Sequence, residues 1–222
     1  MPKFLFFLFM FSFVLLQVCS VAMSGGPTFG NRQVEQLCDD RPDLKTILIP
    51  GSAIYEWVTD SFDGKYFGQR IFWHSPEPAD KAMSSCLPPL GSYPAHILIT
   101  SDIKITAFDR LGLLIFELHN IEHASEFAKV VTDARQGRIG REQFADELVR
   151  IELQTHESVV KFFELNPIPD AKGHHYKWLT SPTPSFEDYK ASFNGNRRNT
   201  LYPESNFDVY KKAWDRLNKS VR

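Results

Sequence analysis

The middle of the chain holds two long helical segments joined by a very short connection, and this pair constrains the fold more than any other feature. From Leu111 to about Gln136 the composition is strongly helical, and a break falls at Gly137. Arg138-Ile139-Gly140 makes the connection, and Arg141 to about Leu165 forms the second helix, which Pro167 and Pro169 end. So short a link leaves the helices side by side and antiparallel. Their facing sides must then be core, and any polar group on those sides requires an explanation.

Projected at roughly 100° per residue, the first helix has its main apolar arc on Leu111, Leu114, Ile115, Leu118 and Ile121. Glu117 lies among Leu113, Ile121, Ala124 and Ala128, with Asn120 one turn on and close to the same face. On the second helix Phe144, Leu148, Ile151, Val159 and Phe162 make the arc, Glu152 falls inside it, and His156 follows one turn later. A buried carboxylate is costly and must find a partner, a metal or a proton. Glu117, Asn120, Glu152 and His156 are therefore expected to meet between the helices. His119 and His123 have the i, i+4 spacing of zinc ligands, but they share a side with Glu126 and read as a solvated pair.

The flanking sequence is less regular. Thr46-Ile47-Leu48-Ile49, stopped by Pro50-Gly51, reads as a short strand. Arg70 to His74 and Ala95 to Thr100 are richer in β-branched and aromatic residues and read as strands. Pro76, Pro78, Pro88, Pro89 and Pro94 impose a long irregular loop between them, and Ile103 to Phe108 reads as a further strand or an edge segment. Asp170 to Ser205 reads as loop-rich, with His174-His175, Tyr176 and Trp178 as a surface patch. Asn206 to Leu217 then forms an amphipathic helix, with Phe207, Tyr210, Trp214 and Leu217 at core-packing spacing. The expected class is α+β: a helix-dominated single domain with a small sheet and a central antiparallel helix pair.

The chain opens Met1-Pro2-Lys3, followed by an apolar run from Phe4 to Leu16 that only Ser12 interrupts. One early cation, a short apolar core and small residues after it are the parts of a signal peptide. Cuts before Met23 or before Gly25 both fit. The run is short for the ~20 residues of a membrane span, and Val18 disfavours a lipoprotein route through Cys19. The expected division is a signal peptide over residues 1–22 and one domain over 23–222, with a loop-rich C-terminal extension from about 166. The product is expected to be exported, periplasmic or extracellular, and free of the membrane after cleavage. With 25 basic and 27 acidic side chains the surface gives no electrostatic footprint for nucleic acid. A peptide or protein partner stays open as an expectation of its own. Cys38 and Cys86 remain after cleavage, and an even pair in an oxidising compartment predicts a disulfide. Such a bridge closes a loop of about 50 residues, worth ~4 kcal/mol in the chain-entropy treatment. No Gly-x-Ser-x-Gly elbow, phosphate-cradling loop or Cys-x-x-Cys is present, and Glu56, Asp60 and Asp63 match no calcium-loop spacing.

Phe116-Glu117-Leu118-His119-Asn120 resembles the His-Glu-x-x-His helix of zincin metallopeptidases, with Phe116 and Asn120 standing where the two zinc histidines would be. The block from Leu113 to Glu152 is also similar to bacterial metallopeptidase-like domains carrying a Phe-Glu-Leu-x-Asn helix, a Gly-x-Ile turn and a second acidic helix. The resemblance implies that Glu117 is the general base and Glu152 the third ligand. A surviving metal site would use Glu152 and His156, on zinc or another divalent ion. Three readings stay open: an exported zincin-like protein that has lost peptidase activity and acts in binding or as an effector scaffold, an active metal-dependent hydrolase, and a plain binding module of the cell envelope whose surface is the Pro-rich loop near Cys86 and the aromatic tail. In the first, the polar groups form a buried hydrogen-bond cluster, with His156 paired to a glutamate.

Overall fold

The computed structural model of the chain describes residues 26–64, 69–75, 84–87, 94–100, 105–183, 185–195 and 206–219. The expected signal peptide lies outside the described residues. Among the described residues no helix is long and apolar enough to cross a membrane.

Helix α1 (Phe29–Asp40) starts at a capping box in which Thr28 and Asn31 exchange side-chain and backbone hydrogen bonds. It packs on α2 (Ala53–Phe62), whose N-cap is Ser52. The two come very close at Gly30: a Cβ there would lie 2.2 Å from the Thr59 carbonyl oxygen, and the Gly30 N–H donates to Asp63. Between them the expected strand at Thr46–Ile49 is not formed. Pro42 opens a 3-10 helix (Pro42–Thr46), and the amides of Ile47 and Leu48 turn back to the Leu44 carbonyl. Those donors are spent locally, so no ladder can form. Ile47 and Leu48 still reach the core, whereas Ile49 is exposed.

The sheet has three strands, β1 (Ile71–Trp73), β2 (Ser84–Leu87) and β3 (Ala95–Ile99), in the order β1-β3-β2. β1 runs parallel to β3 with Phe72 opposite His96, and β2 runs antiparallel to β3 with Cys86 opposite Ile97. Ala95, Ile97 and Ile99 are buried and alternate with half-buried His96 and Leu98, so one face of β3 is core. β1 and β3 match the strands read from sequence. β2 falls within the stretch expected to be irregular.

Helix α3 (Ala107–Glu122) is the axis of the fold, buried at every position from Asp109 to Ile121. The sheet lies against it on one side and α5 (Arg141–Leu165) on another. Its start corrects the reading of Ile103 to Phe108 as a strand. Thr106 and Asp109 form a capping box, so Ala107 and Phe108 are already helical, and residues 103 and 104 lie outside the described residues. The first central helix is also not continuous to Gln136. His123, at φ −92° and ψ 10°, ends α3 and begins α4 (Ala124–Arg135). Gly137, at φ 69°, and Gly140 then link α4 to α5, whose limits are those expected.

The C-terminal part is more helical than its composition predicts. α6 (His174–Leu179) and α7 (Phe186–Gly195) occupy the stretch read as loop, and residues 196–205 lie outside the described residues. The start of α6 is tied to α3, since Asp109 accepts the Tyr176 N–H at 2.9 Å. Helix α8 (Asn206–Lys219) lies along α5, with Asp215 bound to Arg141 and Lys211 to Glu142. Tyr210 lies further along α5, near Glu152, so α8 runs antiparallel to α5. The result is an α+β fold, helix-dominated, with a small mixed sheet and a central helix pair.

Candidate functional site

Glu117 and Glu152 are brought together as the helix faces predict. Glu117, on α3, is 5% exposed and collects hydrogen bonds from two elements. The Ser84 hydroxyl of β2 donates to Oε1 at 2.6 Å, and the Asn120 amide, one turn on, donates to Oε2 at 3.2 Å. The thiol and the backbone N–H of Cys86 donate as well. Burial pushes this carboxyl above its ordinary value, while the donors from Ser84, Asn120 and Cys86 pull the other way.

Glu152 faces it from α5. Its Oε1 accepts from the Tyr210 hydroxyl of α8, and its main-chain carbonyl accepts from the Tyr189 hydroxyl of α7 at 3.1 Å. Burial first, and the charge of Glu117 second, push the Glu152 carboxyl well above the carboxylate range. The same surroundings push the Cys86 thiol and the Tyr189 phenol up. Burial and its own donors set the Glu117 shift, whereas burial and the Glu117 charge set that of Glu152. A buried carboxyl that feels a second one is pushed toward its protonated form. Glu117 has the better set of donors and is the preferred home of the charge, so of the two Glu152 is the one that favours its proton.

His156 does not join them. Fully buried, it donates from Nε2 to the Ser181 carbonyl at 2.9 Å, and Thr183 Oγ1 lies 3.3 Å from the same nitrogen. Its ring packs against Trp178 and Tyr189 at 5.0 and 5.2 Å between centroids. Burial pushes its pKa below the ordinary imidazole value, so it is a neutral core histidine. This corrects both expectations for it, as a metal ligand beside Glu152 and as a partner of a glutamate: the ring turns to the segment after α6. Phe116 is buried with its ring 6.5 Å from Trp178, an aromatic contact in the place of a ligand.

The reading of His119 and His123 as a solvated pair also needs correction. His119 is buried, 4.9 Å from the Trp57 ring and 6.3 Å from Phe162, with Nδ1 on Glu122 at 2.8 Å. Trp57 lies on α2, which the projection of α3 alone could not bring in. His123 sits at the helix break and contacts Glu126 at 2.9 Å. The His174–Trp178 patch is likewise not decoration, since Tyr176 is buried and Trp178 covers His156.

The expected Cys38–Cys86 bridge is absent: both thiols are free. α1, which carries Cys38, packs on β1, while Cys86 lies on β2 at the opposite edge of the sheet. Two strand spacings come to roughly 10 Å, beyond the ~7 Å limit between Cα atoms of a disulfide. Burial pushes the Cys38 thiol up to about 11, and Cys86 is committed to Glu117.

Ser84, Cys86 as a donor, Tyr189 and the hydroxyl of Tyr210 are members of this site that the helix projections did not supply. Tyr210 was within reach of sequence reasoning, because a tyrosine on an inward helix face needs an acceptor for its hydroxyl. The donor set does not fit a zincin metal. Phe116 has no donor atom, Asn120 binds Glu117 and His156 is turned away. Among the described residues no three His, Cys, Asp or Glu side chains are grouped to hold a metal ion.

Compared with known proteins, the chain matches no family model, no curated protein and no solved structure.

Proposed function

We propose that this is an exported protein built on a zincin-like helix pair that has lost peptidase activity and acts by binding a peptide or protein partner. The observation that supports this most is the enclosure of Glu117. A general base must present a free lone pair to a water beside the substrate. Here both oxygens are engaged by Ser84 and Asn120, with Cys86 donating as well, and the side chain is buried. The facing carboxyl is occupied by the Tyr210 hydroxyl, and burial holds it well above the carboxylate range. This is the arrangement of a structural cluster. It leaves the ancestral motif as a means of holding α3, α5 and β2 together.

A metal-dependent hydrolase using Glu117 as general base is the competing reading, and it has one observation in its favour, the pairing of Glu117 with Glu152. Elemental analysis of the exported protein, purified without chelators or a histidine tag, separates the two. The binding reading requires no stoichiometric metal. Near-stoichiometric metal in the parent that is lost in Glu152→Gln, together with peptide hydrolysis abolished in Glu117→Gln, would overturn it.

A further inference from the structure

Away from the carboxyl pair, a groove of about 520 Å³ lies at the junction of α4, α5 and α8. That volume falls in the range of small-molecule sites, roughly 300–1,000 Å³. Phe144 and Leu148 of α5 are buried and form its floor. Phe127 and Val131 of α4 and Tyr210 and Leu217 of α8 are half-buried and form its sides. The three helices touch one another pairwise, so a further helix, which needs about 8–10 Å between axes, finds no seat among them. A single hydrocarbon chain is thin enough to lie there. The length available can be read along α4, where Phe127 and Arg135 both line the groove, eight residues and so about 12 Å apart along the axis. An extended chain of roughly ten carbons covers that distance.

The charge is confined to one end. Arg135 is the last residue of α4 and Arg216 lies near the end of α8, so both stand where α5 begins, and both line the groove. Other cations at that end are taken: Arg138 by Asp133, Arg141 by Asp215 and Lys211 by Glu142. Arg135 and Arg216 are exposed and make no ion pair among the described residues. The helix dipole accounts for a cation near each C-terminus, but not for two guanidiniums at the mouth of one apolar groove. A planar guanidinium is the side chain best matched to a carboxylate.

We propose that this groove binds a free medium-chain aliphatic carboxylate, its chain lying over Phe144 and Leu148 and its carboxylate on Arg135 and Arg216. The chain removes apolar side chains of three helices from water, which supplies the affinity. The arginines choose the headgroup and fix which way round the ligand lies. Tyr210 joins the two regions of the molecule, since its ring lines the groove while its hydroxyl goes to Glu152. The proposal does not depend on the reading of the carboxyl pair: metal content decides that one, and ligand binding decides this one.

The test titrates the full gene product, purified after export, with monomeric decanoate, octanoate and decylamine in a calorimeter. Decanoate should saturate one site. Octanoate, two methylenes shorter, should bind about tenfold more weakly. Decylamine, with the same chain and the opposite charge, should bind at least tenfold more weakly than decanoate. In the doubly reversed R135E/R216E protein the order of decanoate and decylamine should invert. Val131→Trp, which fills the groove from its side, should abolish decanoate binding while the thermal unfolding transition is retained. Equal binding of decanoate and decylamine, no gain from octanoate to decanoate, or no saturation by decanoate overturns the proposal. Sedimentation with phosphatidylglycerol vesicles that decanoate does not compete away would assign the groove to a membrane acyl chain instead, and would also overturn it.

Discussion

Glu152 and His156 sit one turn apart on α5, both buried and both polar, and they are neutralised in opposite ways. Glu152 faces a second carboxyl and keeps a proton it would lose in water. His156 sits against Trp178 and Tyr189 and gives up a proton it would take in mild acid. The comparison teaches that adjacency on a helix does not make a site. The helix supplies both groups to the interior, and the elements packed above them decide what each becomes. β2 and α8 close over the carboxyls, whereas α6, α7 and the turn at Ser181 close over the imidazole.

The strongest blow to the carboxyl side is Glu117→Leu, which takes the acceptor from Ser84, Asn120 and Cys86 together. Stranding buried donors costs ~1–3 kcal/mol each, so the loss should be at least about 3 kcal/mol in urea unfolding. Glu117→Gln, which keeps one acceptor oxygen, should lose about half as much. Equal stability of Glu117→Leu and the parent would remove the cluster from the account.

The pH dependence separates the two residues next. The folded pKa of Glu152 is raised, so its contribution is full below the ordinary carboxyl value and declines as pH rises toward the folded value. The limit of that slope is ~1.4 kcal/mol per pH unit. The folded pKa of His156 is lowered, so its contribution is full above the ordinary imidazole value and is lost as pH falls below it. Between about pH 5 and 6 the two trends oppose each other. Glu152→Gln should therefore tilt stability toward higher pH, and His156→Phe should tilt it toward lower pH. Above that window the parent should lose stability with rising pH and Glu152→Gln should not. Parallel profiles for the two variants would mean that the residues share one environment after all.

His156→Phe keeps the ring packing but leaves the Ser181 carbonyl without its donor, and at neutral pH it should cost about 1 kcal/mol. Tyr210→Phe, at the boundary between the carboxyl pair and the groove, removes one hydroxyl from Glu152. Its cost should be the smallest, about 0.5 kcal/mol by thermal unfolding.

The sequence carried these features unevenly. The limits of α5 were legible because Gly137, Gly140, Pro167 and Pro169 punctuate it, and the burial of Glu117 and Glu152 followed from their places on the helix faces. The start of α3 was legible in principle, since Thr106 and Asp109 have capping-box spacing, but the β-branched run before Thr106 outweighed that signal. The break at His123 has no glycine or proline to announce it. The partners of His156 and His119 were out of reach for another reason. Ser181, Trp178, Tyr189 and Trp57 belong to distant elements, and a helix projection contains only the helix. The disulfide expectation failed similarly, because parity of cysteines says nothing about which edge of a sheet each one occupies.

The protonated carboxyl at Glu152 makes folding an acid–base reaction. At a pH between the ordinary carboxyl value and the raised folded one, the unfolded chain holds this side chain ionised, so folding takes up a proton from the buffer. The heat of unfolding should therefore change with the ionisation enthalpy of the buffer, differing between phosphate and Tris at equal pH and ionic strength. The same difference, measured in Glu152→Gln, would show how much of the exchange belongs to this one side chain.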